Sequence, residues 1–143
     1  MELTTFTMVL RFTLQLEDQT AQFYRVLAGD SRFAQAKELF TKFAENSDKR
    51  KKELERTARE SVDHSLLEPV SGIFEETYRM DLILPPAATI IDATSTAKTL
   101  EGRMQEFYSA AGDKIKFISN VSRLYTRYSQ DRAKALTALQ ALS

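Results

Sequence analysis

Along residues 3–28 the side chains Phe6, Leu10, Thr13, Glu17, Thr20, Tyr24 and Leu27 follow one another in alternating steps of four and three. That spacing draws one line down a helix, and Val9, Phe12, Leu16 and Phe23 widen it into a stripe. Gly29 suits a C-terminal cap, and Asp30 or Ser31 an N-cap for a second helix over residues 32–62. The second stripe reads Phe33, Ala36, Phe40, Phe43, Ser47, Arg50 and Leu54. Lys49, Lys51, Lys52, Glu53, Glu55 and Arg56 lie off it and read as a solvated face with i,i+4 pairs. A third helix, over residues 87–112, carries Ile90, Thr94, Ala97, Glu101, Met104, Tyr108 and Ala111. A fourth, capped by Asp113, carries Ile118, Val121, Tyr125, Tyr128, Arg132, Ala135, Leu139 and Leu142.

Between these pairs the period fails. Pro69, Gly72, Pro85 and Pro86 bracket a connection in which one short helix is expected over residues 72–80, with Ser71 as its cap. The segment is too long for a hairpin turn and reads as a crossover. Its apolar residues Leu66, Ile73, Phe74, Tyr78, Leu82 and Ile83 either cover the helices or present an interaction surface to a protein partner, including a second copy. The expectation is one all-α domain over residues 1–143. It is a four-helix bundle of two hairpins, residues 3–63 and 87–142, joined by a crossover over 64–86.

Apart from the threonines and tyrosines, five polar or charged residues stand on the stripes: Glu17, Ser47, Arg50, Glu101 and Arg132. An unpaired charge on a buried stripe is costly, so these residues need one another or a ligand. The pattern also recurs. Glu17, Phe23 and Tyr24 match Glu101, Phe107 and Tyr108 at an offset of 84, and residues 39–43 match 124–128 at 85. Periodicity alone does not place a glutamate on both stripes, which favours an internal repeat.

Each half reads E-x5-F-Y, a small-residue break, then L-[FY]-x-x-[FLY]-[AS]. That combination resembles one half of the rubrerythrin branch of the ferritin-like superfamily. The resemblance implies a ferritin-like bundle in which each half supplies a glutamate from its first helix and a Glu-x-x-His pair from its second. In that family the six side chains hold two irons that react with peroxide or oxygen. Glu17 and Glu101 match the first element. The positions of the second fall on Ser47 and Arg50 in one half, and on Arg132 and Ala135 in the other. The diiron site implied by the family is therefore degenerate here. The favoured reading pairs Glu17 and Glu101 with Arg50 and Arg132 in a polar core, Ser47 filling the space that remains, with no cofactor. Two alternatives stay open. In one, Glu17 and Glu101 hold iron or manganese in an atypical site of a metal-dependent oxidoreductase; separately, Asp131 with these two glutamates could hold a single oxygen-coordinated cation. In the other, the core arginines hold a small anion, which requires a cavity beside Arg50 and Arg132.

Composition narrows the classes further. Lys plus Arg and Asp plus Glu are 20 each, which gives no push toward nucleic acid or an anionic membrane. There is no cysteine, so disulfides and thiolate metal ligands are excluded. His64 is the one histidine and reads as an exposed residue near a helix end. Tyr24, Tyr108, Tyr125 and Tyr128 could suggest radical chemistry, but buried tyrosines bonded to carboxylates are the commoner use. No phosphate loop, nucleophile elbow or histidine-containing triad is present. No apolar run approaches the roughly 18 residues of a membrane helix, and the first residues lack a signal-peptide pattern, so a cytoplasmic location is expected. These observations point away from catalysis and toward a structural, interaction or accessory protein.

Overall fold

Thr5 ends an initial extended stretch: its hydroxyl oxygen accepts from the Met8 N–H, and the chain turns into α1, Phe6–Ala28. The computed structural model describes residues 1–61 and 67–142. Among them α2 spans Lys37–Glu60, α3 Glu75–Tyr78, α4 Ile90–Lys114 and α5 Ser119–Gln140, so the chain is all-α. His64 and Leu66 lie outside the described residues. No described helix is long and apolar enough to cross a membrane.

Several boundaries differ from those the pattern suggests, each for a local reason. Asp30 does cap the next element, accepting from the Arg32 N–H, but the chain first makes a 3-10 turn, Ser31–Ala36, before α2 starts. α4 starts at Ile90 because Thr89 and Asp92 form a reciprocal capping box: Asp92 N–H donates to Thr89 Oγ1 at 3.3 Å and Thr89 N–H to Asp92 Oδ2 at 2.9 Å. Gly112 does not end α4, which runs on to Lys114. A Cβ on Gly112 would sit 3.0 Å from the Tyr125 Cβ, so this glycine serves the close approach of α4 and α5. Asp113 is accordingly not the cap of α5 and pairs with Lys116 at 2.8 Å.

The crossover is held from the other end of the chain. Leu3 N–H donates to Ile73 O at 2.8 Å, and Val70 N–H to Thr4 O at 2.9 Å, an antiparallel pairing of residues 1–5 with 69–75. Gly72 turns with φ 84, and its N–H meets Glu2 Oε2 at 2.9 Å. This pairing keeps residues 72–74 out of the expected helix, and α3 shrinks to a single turn. Leu3, Val70 and Ile73 are buried beneath it, and Tyr78 sets its ring edge-on to Phe107, 5.1 Å between centroids.

Side-chain pairings fix how the four long helices run. α1 and α2 are antiparallel, since Arg25 pairs with Asp48 while Glu17 pairs with Arg50. α4 and α5 are antiparallel, with Ser122 Oγ donating to Gly112 O near one end and Arg132 reaching Glu101 farther along. The hairpins meet with α1 antiparallel to α4: Tyr24 faces Glu101 and Tyr108 faces Glu17. α2 meets α5 where Glu53 pairs with Arg127 and accepts from the Tyr128 hydroxyl at 2.8 Å. Glu53 therefore belongs to this contact and not to the solvated face its neighbours suggest. The four stripes close on one core; at its edges Leu10, Ile90 and Ala135 are half-buried and Leu142 is exposed.

Candidate functional site

Glu17, Ser47, Arg50, Glu101 and Arg132 are all buried, and they converge at mid-height between the four long helices. On α1 the neighbouring threonines do not compete for the carboxylate. Thr13 Oγ1 donates to Val9 O at 2.8 Å and Thr20 Oγ1 to Leu16 O at 2.7 Å. Thr13 also shares a 2.5 Å hydrogen bond with the Tyr125 hydroxyl.

Arg50 Nε lies 3.1 Å from both oxygens of Glu17, and its Nη2 donates to Ser47 Oγ at 3.2 Å. Arg132 Nη1 straddles the Glu101 carboxylate at 2.9 and 2.8 Å. Its Nη2 reaches across to Glu17 Oε1, so Arg132 bridges the two glutamates. Two tyrosines complete the network in reciprocal fashion. Tyr108 donates to Glu17 Oε1 at 2.7 Å, and Tyr24 donates to Glu101 Oε2 at 2.8 Å. Two carboxylates thus face two guanidiniums, with hydroxyls adding charge-assisted bonds. Periodicity indicates the stripe that each residue occupies, but not that Arg132 serves both halves or that each tyrosine serves the opposite glutamate.

Burial pushes the Glu17 carboxyl up, but the charges of Arg132 and Arg50, with the Tyr108 bond, outweigh it and hold it below the ordinary 4.5. Burial lowers the Arg132 guanidinium, and Glu101 and Glu17 more than restore it, leaving it well above its ordinary value. Burial first, then the adjacent Glu101 and Glu17 charges, raise Tyr24 and Tyr108 well above 10.0, so both stay protonated donors. The depressed Glu17 sets a direction for acid stability. The unfolded chain binds its proton near 4.5 and the folded one only at lower pH. The stabilisation is therefore whole above about pH 4.5 and is lost as pH falls through the folded value. Urea unfolding followed through that window should give a falling stability whose slope is smaller in Glu17→Gln; an unchanged slope would show that Glu17 is not held ionised.

The donor set bears directly on metal. Glu17 and Glu101 already accept from two arginines and two tyrosines, and a cation between them would meet the Arg132 guanidinium that bridges them. Among the described residues no three His, Cys, Asp or Glu side chains converge as ligands. Asp131 is half-buried and lines the wall of an outer cleft. These residues do not fit a pair of irons. That cleft, of about 380 Å³, lies between α2 and α5 and has Arg50, Arg132 and Ala135 among its lining residues.

The crossover residues divide. Ile73, a candidate surface residue, is 1% exposed and belongs to the core, because its carbonyl pairs with Leu3 and its side chain turns inward. Phe74 and Ile83 are exposed, and Tyr78 and Leu82 are half-buried. Leu82 and Ile83 line a second cleft with Phe23, Val26 and Phe33. No family model, no curated protein and no solved structure matches this chain.

Proposed function

We propose that this chain is a ferritin-like four-helix bundle, related to the rubrerythrin branch, that has exchanged diiron chemistry for a self-neutralising core and acts as a structural or accessory protein. The observation that carries the reading is the Arg132 bridge. A guanidinium sits where a cation between Glu17 and Glu101 would have to sit, and it is hydrogen-bonded to both. The helix directions are consistent with it: α1 antiparallel to α2 and α4, α5 antiparallel to α4, with a crossover between hairpins, is the connectivity of that superfamily. The reciprocal Tyr24 and Tyr108 bonds, related by the offset of 84, favour descent from a duplicated hairpin. Exposed Phe74 and Ile83 on the crossover offer apolar area for a partner or a second copy.

Elemental analysis of the purified protein, repeated after exposure to ferrous iron and removal of excess, tests the reading. The expected result is no stoichiometric iron or manganese and no metal-dependent consumption of peroxide. Two metals per chain, or one that survives dialysis and supports peroxide turnover, would overturn it in favour of an oxidoreductase.

A further inference from the structure

The cleft between α2 and α5 has the size of a ligand site, about 380 Å³ against the roughly 300–1,000 Å³ typical of small-molecule pockets. Its apolar wall is made by Leu39 and Phe43 on α2 and by Ala135 and Ala138 on α5. The two alanines leave room that larger side chains would fill. At the other end the lining changes to Arg50, Glu101 and Arg132. One side of the cleft is therefore greasy and the other is cationic and hydrogen-bonding.

Two donors at that polar end are uncommitted. Arg50 spends Nε on Glu17 and Nη2 on Ser47, and among the described residues its Nη1 has no hydrogen-bond partner. Arg132 Nε is the one buried side-chain nitrogen or oxygen among the described residues without a partner. A buried donor left unsatisfied is costly, and Arg132 Nε marks this end of the cleft as short of an acceptor. The fixed charges also leave a positive surplus. Glu17 and Glu101 cancel Arg50 and Arg132, and Glu53 is taken by Arg127 and Tyr128. Lys42, Lys49 and Lys134 then line the cleft against a single acid, Asp131, and none of the three has an ion pair among the described residues.

We propose that this cleft binds a small organic carboxylate, its anionic head beside Arg50 and within reach of Lys49 and Lys134, its apolar body along Leu39, Phe43, Ala135 and Ala138. The apolar wall selects an organic acid over inorganic phosphate, and the cationic end selects an acid over its neutral analogue. The site rests on the cleft and its uncommitted donors, so stoichiometric iron in the purified protein would defeat the accessory reading and leave this one standing.

Calorimetric titration of the full chain with 4-phenylbutyrate, 4-phenylbutyramide and inorganic phosphate tests it. Saturable binding of the carboxylate is expected, with the amide and phosphate each at least roughly tenfold weaker, the factor that one charge-assisted hydrogen bond supplies. Ala135→Leu should block the carboxylate by filling the cleft, and the exposed pair Lys49→Gln with Lys134→Gln should weaken it by a similar factor without disturbing the far-UV circular dichroism. If Ala135→Leu fails to fold, the lysine pair decides. No carboxylate binding, equal binding of the amide, equal binding of phosphate, or binding indifferent to both sets of substitutions would each overturn the proposal.

Discussion

Replacing Arg132 by methionine is expected to destabilise the protein by about 5 kcal/mol, the upper end of what breaking a buried ion pair costs. Methionine keeps much of the volume and the apolar stem, so the loss isolates the charge. Among the described residues Arg132 is the one cation hydrogen-bonded to Glu101, and it also reaches Glu17. Without it Glu101 keeps only the Tyr24 hydroxyl, and one hydroxyl cannot offset the desolvation of a buried carboxylate. Urea denaturation at neutral pH, followed by far-UV circular dichroism, reads the change directly. A loss under about 1 kcal/mol, the range of exposed pairs, would mean that the network is wet and weak.

Glu17→Ala is expected to cost less, about 3 kcal/mol, and the difference is informative. Glu17 accepts from Arg50, Arg132 and Tyr108, so more bonds are lost than at Arg132's other carboxylate. Arg132, however, keeps Glu101, and Arg50 is 8% exposed at the edge of the α2–α5 cleft. Its guanidinium can turn toward water and recover part of its hydration. The same urea experiment measures it. A stability-neutral result would show that Glu17 is not paired in the core.

The polar core was legible in the sequence to the extent that helical period is legible. Glu17, Ser47, Arg50, Glu101 and Arg132 announced themselves by standing on otherwise apolar lines, and a stripe position translates directly into burial. What period cannot supply is which helix faces which. The pairing of Tyr24 with Glu101 depends on how the two hairpins dock, and nothing local encodes that. Glu53 misled for a related reason: it sits among lysines and acids off the α2 stripe, yet α5 brings Arg127 and Tyr128 to it. Gly112 misled differently, because glycine marks both helix ends and close helix contacts, and only the Tyr125 neighbour tells the two apart. The pairing of residues 1–5 with the crossover was invisible, since two short extended segments about 70 residues apart leave no periodic trace. The Thr89 and Asp92 capping box could have been read, as a threonine followed three residues later by an acid, and would have placed the start of α4.

The two crossed tyrosine bonds make the docking of the hairpins single-valued. Apolar stripes alone would accept α1 displaced along α4 by one turn, about 5.4 Å, because one layer of Phe, Leu and Ala resembles the next. Tyr24 and Tyr108 sit on opposite helices and reach past each other to Glu101 and Glu17. A slide in either direction therefore breaks both bonds together and pulls Arg132 off one of its carboxylates. Each carboxylate left short of a donor costs about 1–3 kcal/mol, so the displaced packing lies well above the native one. The charges at the centre of this protein thus act as a vernier: they choose one alignment among several that the greasy surfaces would tolerate.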